Sequence, residues 1–145
     1  LVFAGPGVPA GERRESFAYL LDIYPTLCEL LGSEIPETVE GESLVPALNN
    51  PELHVREELY FALTDSIRSV KDRRYKLIEY ASPQVRRTQL FDLEDDPWEK
   101  TDLSAAAGYR RVLATLRERL RAFRDSWDDR EHPLGAAFWR RYEQS

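Results

Sequence analysis

The sequence predicts an α+β fold in which a small four-stranded antiparallel sheet is covered by a long C-terminal helix and preceded by a strand and a helix. Three observations carry this. Four short apolar runs between residues 59 and 93 are separated by turn residues, the pattern of a meander rather than of parallel strands with helical crossovers. Residues 105–127 place Tyr109, Val112, Leu113, Leu116, Leu120, Phe123 and Trp127 in one stripe at helical spacing. Upstream, a loop dense in Gly and Pro separates a short apolar run from an amphipathic helical pattern.

A chain of 145 residues can bury a real core. Its net charge of -6 argues against a general nucleic-acid binder. The single cysteine, Cys28, excludes an intrachain disulfide and a Cys-rich zinc site. It lies inside an apolar helical pattern and reads as a buried structural thiol. No apolar run approaches the roughly 20 residues that span a bilayer. The chain holds no Met and opens on Leu1, Val2, Phe3 and Ala4, an apolar β run with no charged leader before it. It is expected to be the downstream part of a longer protein.

In the loop over residues 5–11, Pro6 and Pro9 remove backbone donors and no Lys-Ser/Thr follows, so it reads as a surface connection rather than a phosphate cradle. In the helix that follows, Asp22 is the expected N-cap, Pro25 fits the first turn, and Gly32 suits the left-handed position past the end. Ile23, Leu27, Leu30 and Leu31, with Tyr24 beside them, form a face that must pack against something. Ser43 opens a short helical turn over residues 44–48, ended by Asn49-Asn50-Pro51.

The strands are expected at residues 59–63, 66–70, 75–80 and 89–93, with Lys71-Asp72-Arg73 as a tight turn. Asp95-Asp96-Pro97-Trp98 stops the last strand, because Asp side chains bond their own backbone and Pro97 cannot continue a ladder. Ser104 is the natural N-cap of the long helix. Arg110, Arg117, Arg121 and Arg124 form an adjacent stripe, read as a solvated flank paired with Glu118 and Asp125 rather than an anion-binding or nucleic-acid face. In the tail, Phe138, Trp139 and Tyr142 are expected to pack, on a further part of the protein or on another subunit.

No catalytic constellation emerges. His54 and His132 lack a second ligand at metal spacing. Asp92, Glu94, Asp95, Asp96 and Glu99 lack the ligand order and central Gly of an EF-hand and read as a turn built from Asx bonds. Ser43, Ser66 and Ser69 lack a nucleophile-elbow context. The one convergence of polar groups at a strand connection is Thr64-Asp65-Ser66 with Arg68 beyond. Arg68 offers a forked donor to an anionic group, and Asp65 is either its companion in substrate contact or a plain turn residue.

Taken in order, these segments resemble the C-terminal part of a type I sulfatase of the alkaline-phosphatase-like superfamily. Residues 1–11 resemble the family's strand and Pro-Gly loop. Asp22-Ile23-Tyr24-Pro25-Thr26-Leu27 with Gly32 resembles its D-x-x-P-T-L helix, and Gly41-Glu42-Ser43-Leu44 its G-x-S-L turn. Tyr75-Lys76-Leu77-Ile78, Gln89-Leu90-Phe91-Asp92-Leu93 and Asp96-Pro97-Trp98-Glu99 resemble its terminal hairpin. Asp102-Leu103 departs from the family's Asn-Leu, and nothing beyond residue 127 matches the pattern.

The resemblance implies a parent enzyme that hydrolyses sulfate esters with a formylglycine nucleophile and a divalent cation, typically calcium. Neither motif occurs here, since Cys28 is followed by Glu29-Leu30-Leu31-Gly32 rather than by Pro and Arg. No catalytic residue and no metal ligand is therefore assigned to this chain. The resemblance makes residues 1–50 the end of the α/β catalytic domain, residues 51–127 a sheet-plus-helix subdomain and residues 128–145 a tail. It also implies a chain that is inactive alone, buttresses an upstream catalytic domain and lines a cleft for a small sulfated substrate. The alternatives are a phosphodiesterase or phosphonate monoester hydrolase of the same superfamily, or a non-catalytic binding module that forms a homo-oligomer through its tail. Neither nucleic acid nor a membrane span is expected.

Overall fold

Gly32, at φ 66°, takes the left-handed conformation that ends the first helix, as the sequence predicts. The computed structural model describes residues 1–144 and divides into two compact units, Leu1–Glu57 and Glu58–Ser145. In the first unit a 3₁₀ turn at Leu20–Asp22 runs into α1 (Ile23–Leu30), and α2 (Val45–Asn49) follows. Asp22 is not the side-chain cap of α1. Because the 3₁₀ turn precedes the helix, its carboxylate reaches back to the Tyr19 N–H at 2.7 Å, and it also accepts from the Glu42 N–H at 2.9 Å. Thr26 Oγ1 donates to the Asp22 carbonyl at 2.6 Å and accepts from the Leu44 N–H at 2.9 Å, which ties α1 to the start of α2.

The expected strand at residues 1–4 does not form, because the unit contains no other strand with which to build a ladder. The expected packing face of α1 is only partly buried, since Ile23 and Leu30 are half-buried and Leu27 and Leu31 are exposed. Pro25, Thr26 and Cys28 are buried, while Leu20 and Leu31 are 81% and 78% exposed and Tyr24 and Leu27 stand on the same outward row.

In the second unit, side-chain alternation builds β1 (Leu59–Leu63), β2 (Ile67–Lys71), β3 (Tyr75–Ala81) and β4 (Arg86–Asp92), in the spatial order β1-β2-β3-β4 with every pair antiparallel. β4 starts three residues before the expected residue 89. Ser82 Oγ accepts from the Gln84 and Val85 N–H groups and tightens the turn, so that Ala81 pairs with Arg86. Asp72 Oδ1 accepts from the Arg74 and Tyr75 N–H groups and closes the turn between β2 and β3.

Tyr60, Val70, Leu77 and Leu90 stand opposite one another across the four strands. They form one core with Leu116 and Leu120 of α3 (Arg110–Ser126). α3 begins later than expected, after a 3₁₀ turn at Ala107–Tyr109. Ser104 does not cap it; its hydroxyl donates to the Thr88 carbonyl at 3.1 Å and pins the chain to the edge strand.

The tail is not separate. α4 (Pro133–Glu143) places Phe138 and Trp139, 0% and 1% exposed, in the same core. These aromatics are spent within the unit, which removes the oligomer contact expected from them. Pro133 presets the first turn, and His132 Nδ1 accepts from the Leu134 N–H at 3.3 Å. Gly135 is required, since a Cβ there would stand 1.6 Å from the Asp129 carbonyl oxygen.

Candidate functional site

The turn from β1 to β2 is built under strain. Thr64 holds φ 52°, a conformation unfavourable for a β-branched residue and kept only where the surroundings over-determine it. Arg68 supplies part of that determination, donating Nη1 to the carbonyls of Thr64 and Ile67 at 2.8 Å each. Arg141 of α4 supplies the rest by donating to the Asp65 carbonyl and, at 3.0 Å, to the Asp65 carboxylate.

Arg68 is a correction to the sequence reading. It is 1% exposed, with Nε 2.7 Å and Nη2 3.0 Å from the Asp129 carboxylate and its guanidinium over the Phe138 ring. All three nitrogens are engaged inside the fold, so no forked donor remains for an external anion. Asp65 keeps its side chain 36% exposed, and bonds from Ser66 and Arg141 hold its carboxyl below the usual range. The two candidates do not meet in one site. Arg68 faces Asp129, and Asp65 faces Arg141.

Asp129 is the hub that sequence reasoning missed. Besides Arg68 it accepts from the Tyr60 hydroxyl at 2.8 Å and Trp139 Nε1 at 2.6 Å. Burial pushes its carboxyl up, but the bonds from Arg68, Trp139 and Tyr60 outweigh this and hold it below the ordinary value. Burial and the bond to Asp129 push the Tyr60 phenol up. A second hub surrounds Glu79, which takes Arg117 Nε at 2.7 Å, Thr88 Oγ1 at 2.7 Å and the Tyr142 hydroxyl at 3.2 Å. No local spacing betrays either hub, because Arg68 and Asp129 lie 61 residues apart and Glu79 and Arg117 lie 38 apart.

In the acidic turn, Asp96 Oδ2 accepts from the Lys100 and Thr101 N–H groups and Asp92 pairs with Arg74 at 2.9 Å. It is the Asx-bonded turn expected from the sequence. Among the described residues no group of three or more His, Cys, Asp or Glu side chains is placed to hold a metal ion. The buried carboxylates Asp22, Glu79 and Asp92 are each paired with an arginine. Cys28 is buried within α1, away from any Pro-x-Arg context. These residues fit neither a divalent cation nor a formylglycine. No helix among the described residues is long and apolar enough to cross a membrane.

The family model for the C-terminal region of N-sulphoglucosamine sulphohydrolase matches residues 1–126, which takes in the first unit and most of the second. The chain belongs to this sulfatase family. Arylsulfatase K of Bos taurus is 29% identical over 136 residues, covering 84% of this chain and 24% of the relative. The multifunctional alkaline phosphatase superfamily protein PehA of Trinickia caryophylli is 28% identical over 148 residues, covering 88% of this chain and 28% of the relative. A solved 2-O GAG sulfatase superposes with a TM-score of 0.73 at 26% identity, covering 90% of this chain and 30% of its own. The chain thus spans about a quarter of the length of the curated relatives it matches. It is a C-terminal sulfatase portion of the alkaline-phosphatase-like superfamily. α4 lies past the end of the family match, yet it completes the core of the second unit.

Proposed function

We propose that this chain is the C-terminal portion of an enzyme that hydrolyses sulfate esters, and that it buttresses the catalytic portion and lines one wall of the substrate cleft. The family match across the first unit and most of the second carries this reading. The nucleophile and the divalent-cation site then belong to the portion that the relatives possess and this chain does not span. That assignment agrees with carboxylates already committed to arginines. The outward row of Leu20, Tyr24, Leu27 and Leu31 supplies an apolar surface for the catalytic portion to cover. Asp65, half exposed on a rigid turn, is the residue proposed to face the cleft.

The likeness to a solved phosphonate monoester hydrolase of Agrobacterium radiobacter, 26% identical with a TM-score of 0.63, supports a second reading, a phosphodiester or phosphonate monoester hydrolase. Assay of the full-length parent on an aryl sulfate and on the matching aryl phosphonate monoester separates the two. The sulfatase reading predicts faster turnover of the sulfate, abolished by a chelator. Preference for the phosphonate would reverse the assignment, and turnover by the 145-residue chain alone would place the chemistry here and contradict the proposal.

A further inference from the structure

α3 carries a groove that the hydrolytic reading does not use. It encloses about 350 Å³ and is lined by Arg110, Leu113, Ala114, Arg117, Glu118 and Arg121. Arg117 is held in place from below. Its Nε is bonded to the buried carboxylate of Glu79 at 2.7 Å and its Nη2 to Thr88 Oγ1 at 3.0 Å, while the side chain stays 35% exposed to the groove. Two of its three nitrogens thus fix the guanidinium plane, with the Tyr142 hydroxyl also beside it, an arrangement that limits the entropy cost of binding an oxyanion.

Arg110 and Arg121 flank it on the same helix face, one about 10 Å and the other about 6 Å along the axis. Neither forms an ion pair or hydrogen bond among the described residues, which corrects the expectation that the stripe is neutralised by acidic neighbours. Arg124 is paired with Asp125, as expected, and with Glu143, at 2.6 Å each, and Arg117 is paired with Glu79. Arg86, exposed and two residues before Thr88 on the same side of edge strand β4, extends the positive surface onto a second element. The opposing charges are Glu79, already spent on Arg117, and Glu118 on the groove wall. A locally cationic groove on a chain of net charge -6 calls for an anionic ligand.

We infer that this groove is an accessory binding site for the sulfate groups of a sulfated saccharide chain, remote from the ester being cleaved. The spread of cations along the helix suits several anionic groups on one extended ligand, and Leu113 and Ala114 offer an apolar floor for a sugar ring. The choice of a sulfated saccharide over another polyanion rests on the sulfatase reading.

The test is calorimetric titration of the 145-residue chain with a heparin-derived hexasaccharide, at low and at physiological salt. R110E/R121E touches no partnered side chain, so the fold is kept, and it should weaken binding about tenfold or more. R13E/R140E makes the same change in net charge outside the groove and should leave affinity unchanged. Equal weakening by both pairs, no binding at all, or equal affinity for the desulfated hexasaccharide or a short DNA duplex would overturn the inference. Hydrolysis of a small aryl sulfate by the parent is measured separately. If that activity is present and the hexasaccharide does not bind, the groove proposal fails and the sulfatase reading stands.

Discussion

In the second unit α3 and α4 close over one face of the sheet, and Leu116, Leu120, Phe138 and Trp139 meet Val70, Leu77 and Leu90 with almost no exposed surface. In the first unit α1 and its flanking turns bury Pro25, Thr26 and Cys28 and leave Leu20, Tyr24, Leu27 and Leu31 outside. Both helices show apolar spacing in the sequence, and only that of α3 is fully closed over among the described residues. An amphipathic pattern says that a face will be covered; it does not say by what. The first unit is held instead by polar ties, with Asp22 gathering the Tyr19 and Glu42 backbones and the Arg56 guanidinium. Even the second unit leaves Phe61 and Leu63 exposed on the sheet face turned away from its core.

The sharpest way to break the self-sufficiency of the second unit is at its polar hub. Asp129→Ala leaves the Arg68 guanidinium buried without a carboxylate and strips a partner from Tyr60 and Trp139. The expected loss is about 3–5 kcal/mol, the cost of orphaning a buried charge. Urea denaturation followed by Trp fluorescence reads it, and an unchanged midpoint would mean that the hub carries no stability.

The next prediction sets one leucine against another. Leu120→Ala, in the closed core, should cost about 2–5 kcal/mol because it opens a cavity. Leu31→Ala, 78% exposed on the outward row, should stay within about 0.5 kcal/mol in the isolated chain. Equal costs in the two variants would erase the distinction between the units.

A smaller effect is expected with acid. The folded-state carboxyls of Asp129 and Asp22 lie below the unfolded value of 3.8. Their contribution is complete above that value and is lost as pH falls through the depressed folded values. Stability measured across the acid range should drop there, and Asp129→Asn should flatten part of the drop. An acid limb identical to that of the wild type would remove Asp129 from the account.

The sheet was legible because alternation and turn chemistry are local signals. Apart from the earlier start of β4, the strands and the stripe Val112, Leu113, Leu116, Leu120 and Phe123 lie within a residue or so of where periodicity put them. The turn at Asp92 to Asp96 was legible for the same reason. What failed was whatever depends on a distant partner. Arg68 looks like an available donor until Asp129 reaches it from 61 residues away. The tail looks like a loose end until Gly135 lets α4 approach Asp129 closely enough to seat Phe138. Asp22 stands at the N-cap of α1 as expected, but its carboxylate serves the Tyr19 and Glu42 backbones instead of the helix.

The most direct test of the contrast between the units is amide hydrogen exchange on the isolated chain and on the full-length parent. In the isolated chain, amides of β3 (Tyr75–Ala81) should show protection near the global stability, while those of α1 (Ile23–Leu30) exchange through local opening. If the parent's catalytic portion covers Leu20, Tyr24, Leu27 and Leu31, as proposed, α1 should become as protected as β3 there. Equal protection of α1 and β3 in the isolated chain would contradict the claim that the first unit depends on a partner outside this chain.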